Sequence, residues 1–168
     1  NDRSNPTVSM DASGDFVVVW NSDGQDGSSW GVYGQRFAAD GTPAGGEFQV
    51  NTYTSNEQQT PAVAMDAPGN FIIVWESQGQ DGSSGYYGVY AQRYAADGTA
   101  SGVEFLVNTY TSSHQLGPAI AMDAAGSHVV AWQSYSQDGG SYWGIYGQFY
   151  GTGLAQPDLV PVKVSAPK

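Results

Sequence analysis

The chain contains no cysteine, which removes disulfides, thiolate metal sites and thiol nucleophiles together. Positive charge is scarce as well. Five Lys and Arg stand against 16 Asp and Glu, a formal net charge of -11. Affinity for a phosphate backbone is carried largely by cationic side chains, so no nucleic-acid partner is expected. No apolar run approaches a membrane-spanning length, and no basic-plus-apolar leader opens the chain, so no membrane insertion is expected. Helical periodicity is missing too, because no stretch sustains apolar residues at i, i+3, i+4 and i+7 without glycine or β-branched runs. What remains in quantity is glycine, 23 of 168 residues, set among Ser, Thr, Asn and Gln as in an all-β protein with many turns. One domain of this length buries roughly 70% of its unfolded surface and needs no covalent staple. The chain opens on Asn1 and is read as a piece cut from something longer.

The dominant feature is internal repetition. Trp20, Trp75 and Trp132 lie 55 and 57 residues apart, and Met10, Met65 and Met122 keep the same intervals. After each Trp comes a loop with Gln-Asp-Gly at its centre (Gln25-Asp26-Gly27, Gln80-Asp81-Gly82, Gln137-Asp138-Gly139), and after each loop an aromatic-Gly-aliphatic-Tyr segment beginning at Trp30, Tyr87 or Trp143. The repeats span about 6–60, 61–117 and 118–150. Residues 151–168 read as a degenerate last strand or a linker to a following domain.

Each repeat contains four strand-like runs. In the first copy they are Thr7 to Met10, Phe16 to Trp20, Gly31 to Phe37 and Glu47 to Thr52. Hairpin turns rich in Asp and Gly join the first run to the second and the third to the fourth. The second run is apolar on both faces, as a strand covered on both sides must be. The expected fold is therefore all-β, three four-stranded repeats in a β-propeller-like arrangement, with a β-trefoil as the alternative that accounts for the number three. Propellers close with four to eight blades. Three blades require completion by a second chain, giving a six-bladed homodimeric ring, or by further repeats of a longer array.

Gly31-Val32-Tyr33-Gly34-Gln35-Arg36-Phe37-Ala38-Ala39-Asp40-Gly41, followed by Gly46 to Thr52, resembles the tandem repeats of very large secreted bacterial surface proteins, and the second copy matches equally well. The resemblance covers about residues 6–150. It implies an extracellular, adhesin-like setting at the cell surface. Residues Pro157 to Val164 resemble the opening of bacterial adhesion-related immunoglobulin-like domains.

In a meander, the loop between the second and third strands shares an end of the sheet with the loop that leads to the next repeat. On this basis Gln25, Asp26, Trp30, Gln80, Asp81, Tyr87, Gln137, Asp138 and Trp143 are the candidate ligand-binding residues. Their amides and carboxylates suit hydroxyl groups, and their aromatic faces suit a sugar ring. Three such loops would bind a glycan multivalently. A turn that determines the fold would repeat in the same way, with Asp capping the loop and the aromatic packing on the next repeat.

No cofactor is required by this reading. Calcium is a further ligand to consider, through Asp23 and Asp26, but Asp23 becomes Gln78 and then Tyr135, so two carboxylates meet at most in the first copy. Arg36 and Arg93 are expected to cover apolar surface with their stems and to pair with carboxylates such as Glu47 or Glu104. The expected function is a non-catalytic, lectin-like glycan-binding module of a secreted protein. A structural spacer is the first alternative and a fragment of a polysaccharide-degrading enzyme the second. For an enzyme, Glu57 and Glu76 are each unique to their copy and could form an acid/base pair, but no feature of the sequence brings them together. His114 falls at the loop end and His128 in a strand.

Overall fold

The computed structural model describes residues 1–83 and 85–151. The predicted tail reading, Gly151 apart, lies outside them. Eleven strands are seen among the described residues: β1 (Arg3–Met10), β2 (Phe16–Asp23), β3 (Trp30–Phe37), β4 (Phe48–Gln49), β5 (Gln58–Met65), β6 (Phe71–Gln78), β7 (Tyr87–Tyr94), β8 (Phe105–Leu106), β9 (Gln115–Met122), β10 (His128–Tyr135) and β11 (Trp143–Tyr150). They form three separate antiparallel meanders, β1-β2-β3-β4, β5-β6-β7-β8 and β9-β10-β11. The first strands β1, β5 and β9 lie side by side and the sheets pack face to face. This is the β-propeller arrangement, not the trefoil.

Two boundaries differ from the sequence expectation, and both have a local cause. The first strands start earlier than expected because the chain crosses Pro6, Pro61 and Pro118 in a bulge. The ladder shifts register between Ser4 and Thr7, between Gln59 and Ala62, and at the matching point of β9. A proline in a bulge breaks no pair, since its missing N–H has no partner to lose there. The residue before each proline is left-handed, with φ of 50° at Asn5, 54° at Thr60 and 62° at Gly117. The fourth strands are only two residues long because a side chain finishes the ladder. Asn51 Oδ1 accepts the Val32 N–H at 2.8 Å, and Asn108 Oδ1 accepts the Val89 N–H at 2.7 Å.

Each β1–β2-type hairpin is closed by an aspartate that accepts backbone N–H groups: Asp11 from Ser13 and Asp15, Asp66 from Asn70, and Asp123 from Ala125 and Ser127. The glycine three residues on, Gly14, Gly69 or Gly126, has φ between 91° and 96°, a conformation costly for any residue with a Cβ. Just past this turn the ends of the second and third strands stack ring on ring, Phe16 on Phe37, Phe71 on Tyr94 and His128 on Tyr150, with centroids 4.8 to 5.0 Å apart.

Two apolar layers hold the sheets together. Between the first and second sheets, Val17, Val19, Val32 and Val50 meet Val63, Phe71, Ile73, Trp75, Tyr90 and Tyr94. Between the second and third, Ile72, Val74, Val89, Ala91 and Val107 meet Val130, Trp132, Tyr146 and Tyr150. In both layers a small-aliphatic face meets a face rich in aromatics. Trp75 is fully buried, and truncating such a side chain to alanine costs roughly 3–5 kcal/mol.

Candidate functional site

The Gln-Asp-Gly loops lie where expected, at the end of the sheets that also carries the repeat-to-repeat connections, and much of their polarity is spent within the protein. Asp26 Oδ1 accepts the Ser28 N–H at 3.0 Å and Asp81 Oδ1 that of Ser83 at 2.9 Å. Gln25 donates to Glu47, and Gln80 donates to Glu104 Oε1 at 2.5 Å. The following glycine allows the loop aspartate to press against the strand. A Cβ on Gly31 would lie 2.8 Å from Asp26 Oδ2, closer than side-chain carbons approach. The Asp of each loop also bears on the tyrosine of the third strand. Burial pushes Tyr33 up, with the charges of Asp26 and Glu47 adding to it. Burial, then the Asp81 charge, pushes Tyr90 up to about 12, and burial with Asp138 does the same for Tyr146. Among the ring-bearing candidates Trp30 and Tyr87 are half-buried, whereas Trp143 is exposed and tilts against Tyr135. Gln137 lies in the third loop with its Oε1 buried.

One place at this end gathers groups that could act chemically. It caps the layer between the second and third sheets. Tyr87 opens β7, and its hydroxyl donates to Glu57 Oε2 at 2.6 Å. Glu76, on β6, is buried, and its Oε1 accepts the Gly117 N–H at 2.6 Å; the β9 bulge leaves that N–H outside the ladder. Burial raises the Glu76 carboxyl above its ordinary range, against hydrogen bonds from Gly117, Thr60 and Gln59 that favour the ionised form. Burial raises the Tyr87 hydroxyl strongly, reinforced by its bond to Glu57 and by the charges of Glu57 and Glu76. Glu57 is thus bonded to this hydroxyl, and Glu76 lies near enough for its charge to bear on it. His114 joins them: its ring is edge-on to Tyr86 with centroids 5.0 Å apart and 5.8 Å from that of Tyr87, and its Nδ1 is buried with no hydrogen-bond partner among the described residues.

Sequence reasoning missed a further element, the buried glutamines that anchor the first strands. Gln58 and Gln115 are completely buried. Gln58 Oε1 accepts from Asn51 at 3.1 Å, and Gln115 Oε1 accepts the Trp132 indole N–H at 3.1 Å. The signal was present: Arg3, Gln58 and Gln115 each stand seven residues before the repeat's methionine. In the first copy the Arg3 guanidinium lies over Trp20 instead, 5.2 Å from the ring centre.

The arginine expectation changes in detail. Glu47 pairs with Arg3 at 3.1 Å, and Glu104 Oε2 takes the Thr52 N–H at 2.7 Å. The Arg93 guanidinium carbon lies over Phe105, 4.3 Å from its ring centre, and 5.5 Å from that of Tyr150. At the hairpin end, a cavity of about 270 Å³ between the second and third sheets is lined by Asp66, Arg93, Tyr94, Ser101 and His128 among others. Among the described residues no three His, Asp or Glu side chains converge as a metal centre would require.

No protein-family model matches the sequence. No curated protein matches it. The fold, however, is shared with solved β-propeller glycoside hydrolases. The chain is similar to an endo-arabinase from Bacteroides thetaiotaomicron, with a TM-score of 0.57 and 16% identity over 99% of this chain and 63% of that one. It is similar to a thermostable family-43 glycoside hydrolase, with a TM-score of 0.58 and 11% identity over 99% and 60%. A Hadza microbial sialidase, Hz136, gives a TM-score of 0.62 and 14% identity over 92% and 36%. The chain thus spans about three-fifths of the first two proteins and about a third of the sialidase. At these identities the likeness shows the fold. It also corrects the expectation of a non-catalytic binding module, and with it that of a protein that is not an enzyme, since these fold-mates are hydrolases of glycosidic bonds.

Proposed function

We propose that the chain supplies three blades of a carbohydrate-active enzyme of the β-propeller class, with its saccharide-facing centre at the cap over the second and third sheets. The observation that carries the reading is the hydrogen bond from the Tyr87 hydroxyl to Glu57, with the buried Glu76 carboxyl near enough for its charge to bear on that hydroxyl and a His114 Nδ1 that has no partner among the described residues. Glycosidic cleavage needs one carboxyl group that delivers a proton to the departing oxygen and a second that assists at the anomeric carbon. Glu76, held above its ordinary range by burial, is the proton donor in this reading. Glu57, oriented by Tyr87, assists the water whose hydroxyl replaces the leaving sugar. The rings of Tyr86 and His114 offer flat faces to a pyranose or furanose.

Polysaccharide is an extracellular substrate for most cells, so the reading includes an extracellular location, supported by the secreted repeat arrays that the sequence resembles. The test is release of reducing sugar from a panel of plant and algal polysaccharides, with arabinan and xylan first. Glu76→Gln and Glu57→Gln should each reduce release about 100-fold or more. Activity undiminished in both variants, or no release by the parent from any member of the panel, overturns the reading.

A further inference from the structure

The middle sheet shows what each face of this repeat requires. Its small-aliphatic face, with Ile72, Val74 and Val89, is covered by the aromatic-rich face of the third sheet, and its own aromatic-rich face, with Phe71, Trp75 and Tyr94, covers the small-aliphatic face of the first. The outer sheets carry the same two faces, but among the described residues each leaves one of them uncovered. On the third sheet Ile145 occupies the position of Val89 and is 43% exposed where Val89 is 0% exposed, and Val129 and Phe149 beside it are exposed too. On the first sheet Val8 occupies the position of Val63 and is 60% exposed against 8%, and Met10 follows it. Its rings Phe16, Trp20 and Phe37 are only partly covered. One end of the arc thus presents the small-aliphatic face and the other end the aromatic-rich face, and these are the two faces that mate twice inside the chain.

We infer that a second copy of this chain covers both faces, with the third sheet of each copy seated on the first sheet of the other. Two copies joined head to tail through two identical contacts give a closed ring of six sheets, within the four to eight blades that propellers use. The partner is specified by chemistry shown twice in the structure. Each internal layer sets a mainly aliphatic face, joined by one ring from the fourth strand (Phe48 or Phe105), against a face rich in rings, and a contact of one face with its own kind would not reproduce that match. This inference does not depend on the proposed function, since ring closure makes no use of Glu57 or Glu76.

The first measurement is the solution mass by light scattering, expected at twice the 17.7 kDa of the chain. Charges are then placed on one face at a time: Ile145→Glu with Phe149→Glu, and separately Val8→Glu with Met10→Glu. These side chains are exposed in the single chain, so the circular dichroism of each variant should match the parent. Each variant alone should halve in mass. Equal amounts of the two mixed together should recover dimer, because each supplies the face that the other has lost and one contact per pair is intact. A monomeric parent, a dimer that survives charge on either face, or a mixture that stays monomeric overturns the inference. The first outcome would assign the open faces to additional blades of a longer chain instead.

Discussion

The Tyr87 hydroxyl donates to Glu57 Oε2 across 2.6 Å, joining the start of β7 to the residue that precedes β5 in the same sheet. Tyr87→Phe keeps the ring against His114 and removes only this donor. The expected cost is about 1–2 kcal/mol of stability, read from urea unfolding. Sugar release should fall about tenfold, because Glu57 is then free to rotate. Unchanged unfolding and unchanged turnover together would show that the bond orients nothing.

Glu76→Gln should separate stability from activity. A carboxyl group whose folded-state pKa is raised binds its proton more readily folded than unfolded. Its stabilisation is therefore present at low pH and is lost as pH rises from the ordinary 4.5 through the raised value. Glutamine never ionises and retains an oxygen for the Gly117 N–H. The variant should match the parent near about pH 4 and exceed it at about pH 7, as thermal melts at the two values would record, while losing activity. Greater stability bought at the expense of turnover is the expected mark of an active-site residue.

Asn51 and Asn108 complete the ladders that the two-residue strands β4 and β8 leave unfinished. Alanine at either position strands a buried N–H, that of Val32 or Val89, at a cost of about 1–3 kcal/mol. Hydrogen exchange should show the loss first at that single amide, and an amide that stays as protected as before would contradict the part given to the asparagine.

His128 stands in the third sheet where Phe16 and Phe71 stand in the other two, stacked on Tyr150. Burial, helped by the nearby Arg93 charge, holds its pKa below the ordinary 6.5. The folded chain then binds fewer protons than the unfolded one, so stability should decline as pH falls below about 6.5 and level off beneath the depressed value. His128→Phe restores the ring of the other repeats and should remove that part of the acid sensitivity. Parallel pH profiles for parent and variant would contradict it.

The architecture was legible because it rests on period and pattern. Equal spacing of Trp and Met announced the repeats, and the doubly apolar run Phe71 to Trp75 announced a sheet covered on both faces. The bulges were less legible, although Pro6, Pro61 and Pro118 mark them at the same spacing, because a proline in an apolar run reads as the edge of a strand rather than its interior. The candidate site was the hardest to see. Glu57 and Glu76 are 19 residues apart and reach the same end of the sheet through strand register, with a peptide group from the next sheet on Glu76, and neither relation leaves a motif. The repeated Gln-Asp-Gly drew attention by its repetition, whereas the cap draws its character from residues that differ from copy to copy: Asn21, Glu76 and Gln133 occupy one position, and Trp30, Tyr87 and Trp143 another.

Because every sheet has one aliphatic and one aromatic-rich face, the array has a direction, like a row of identical plugs and sockets. A duplicated repeat meets a fitting neighbour on both sides wherever it is inserted, and a lost repeat leaves two fitting ends. Growth and shrinkage by whole units would therefore change the circumference of the assembly without requiring new packing, and a lineage of such chains could explore ring sizes by recombination before any side chain at the cap had to change.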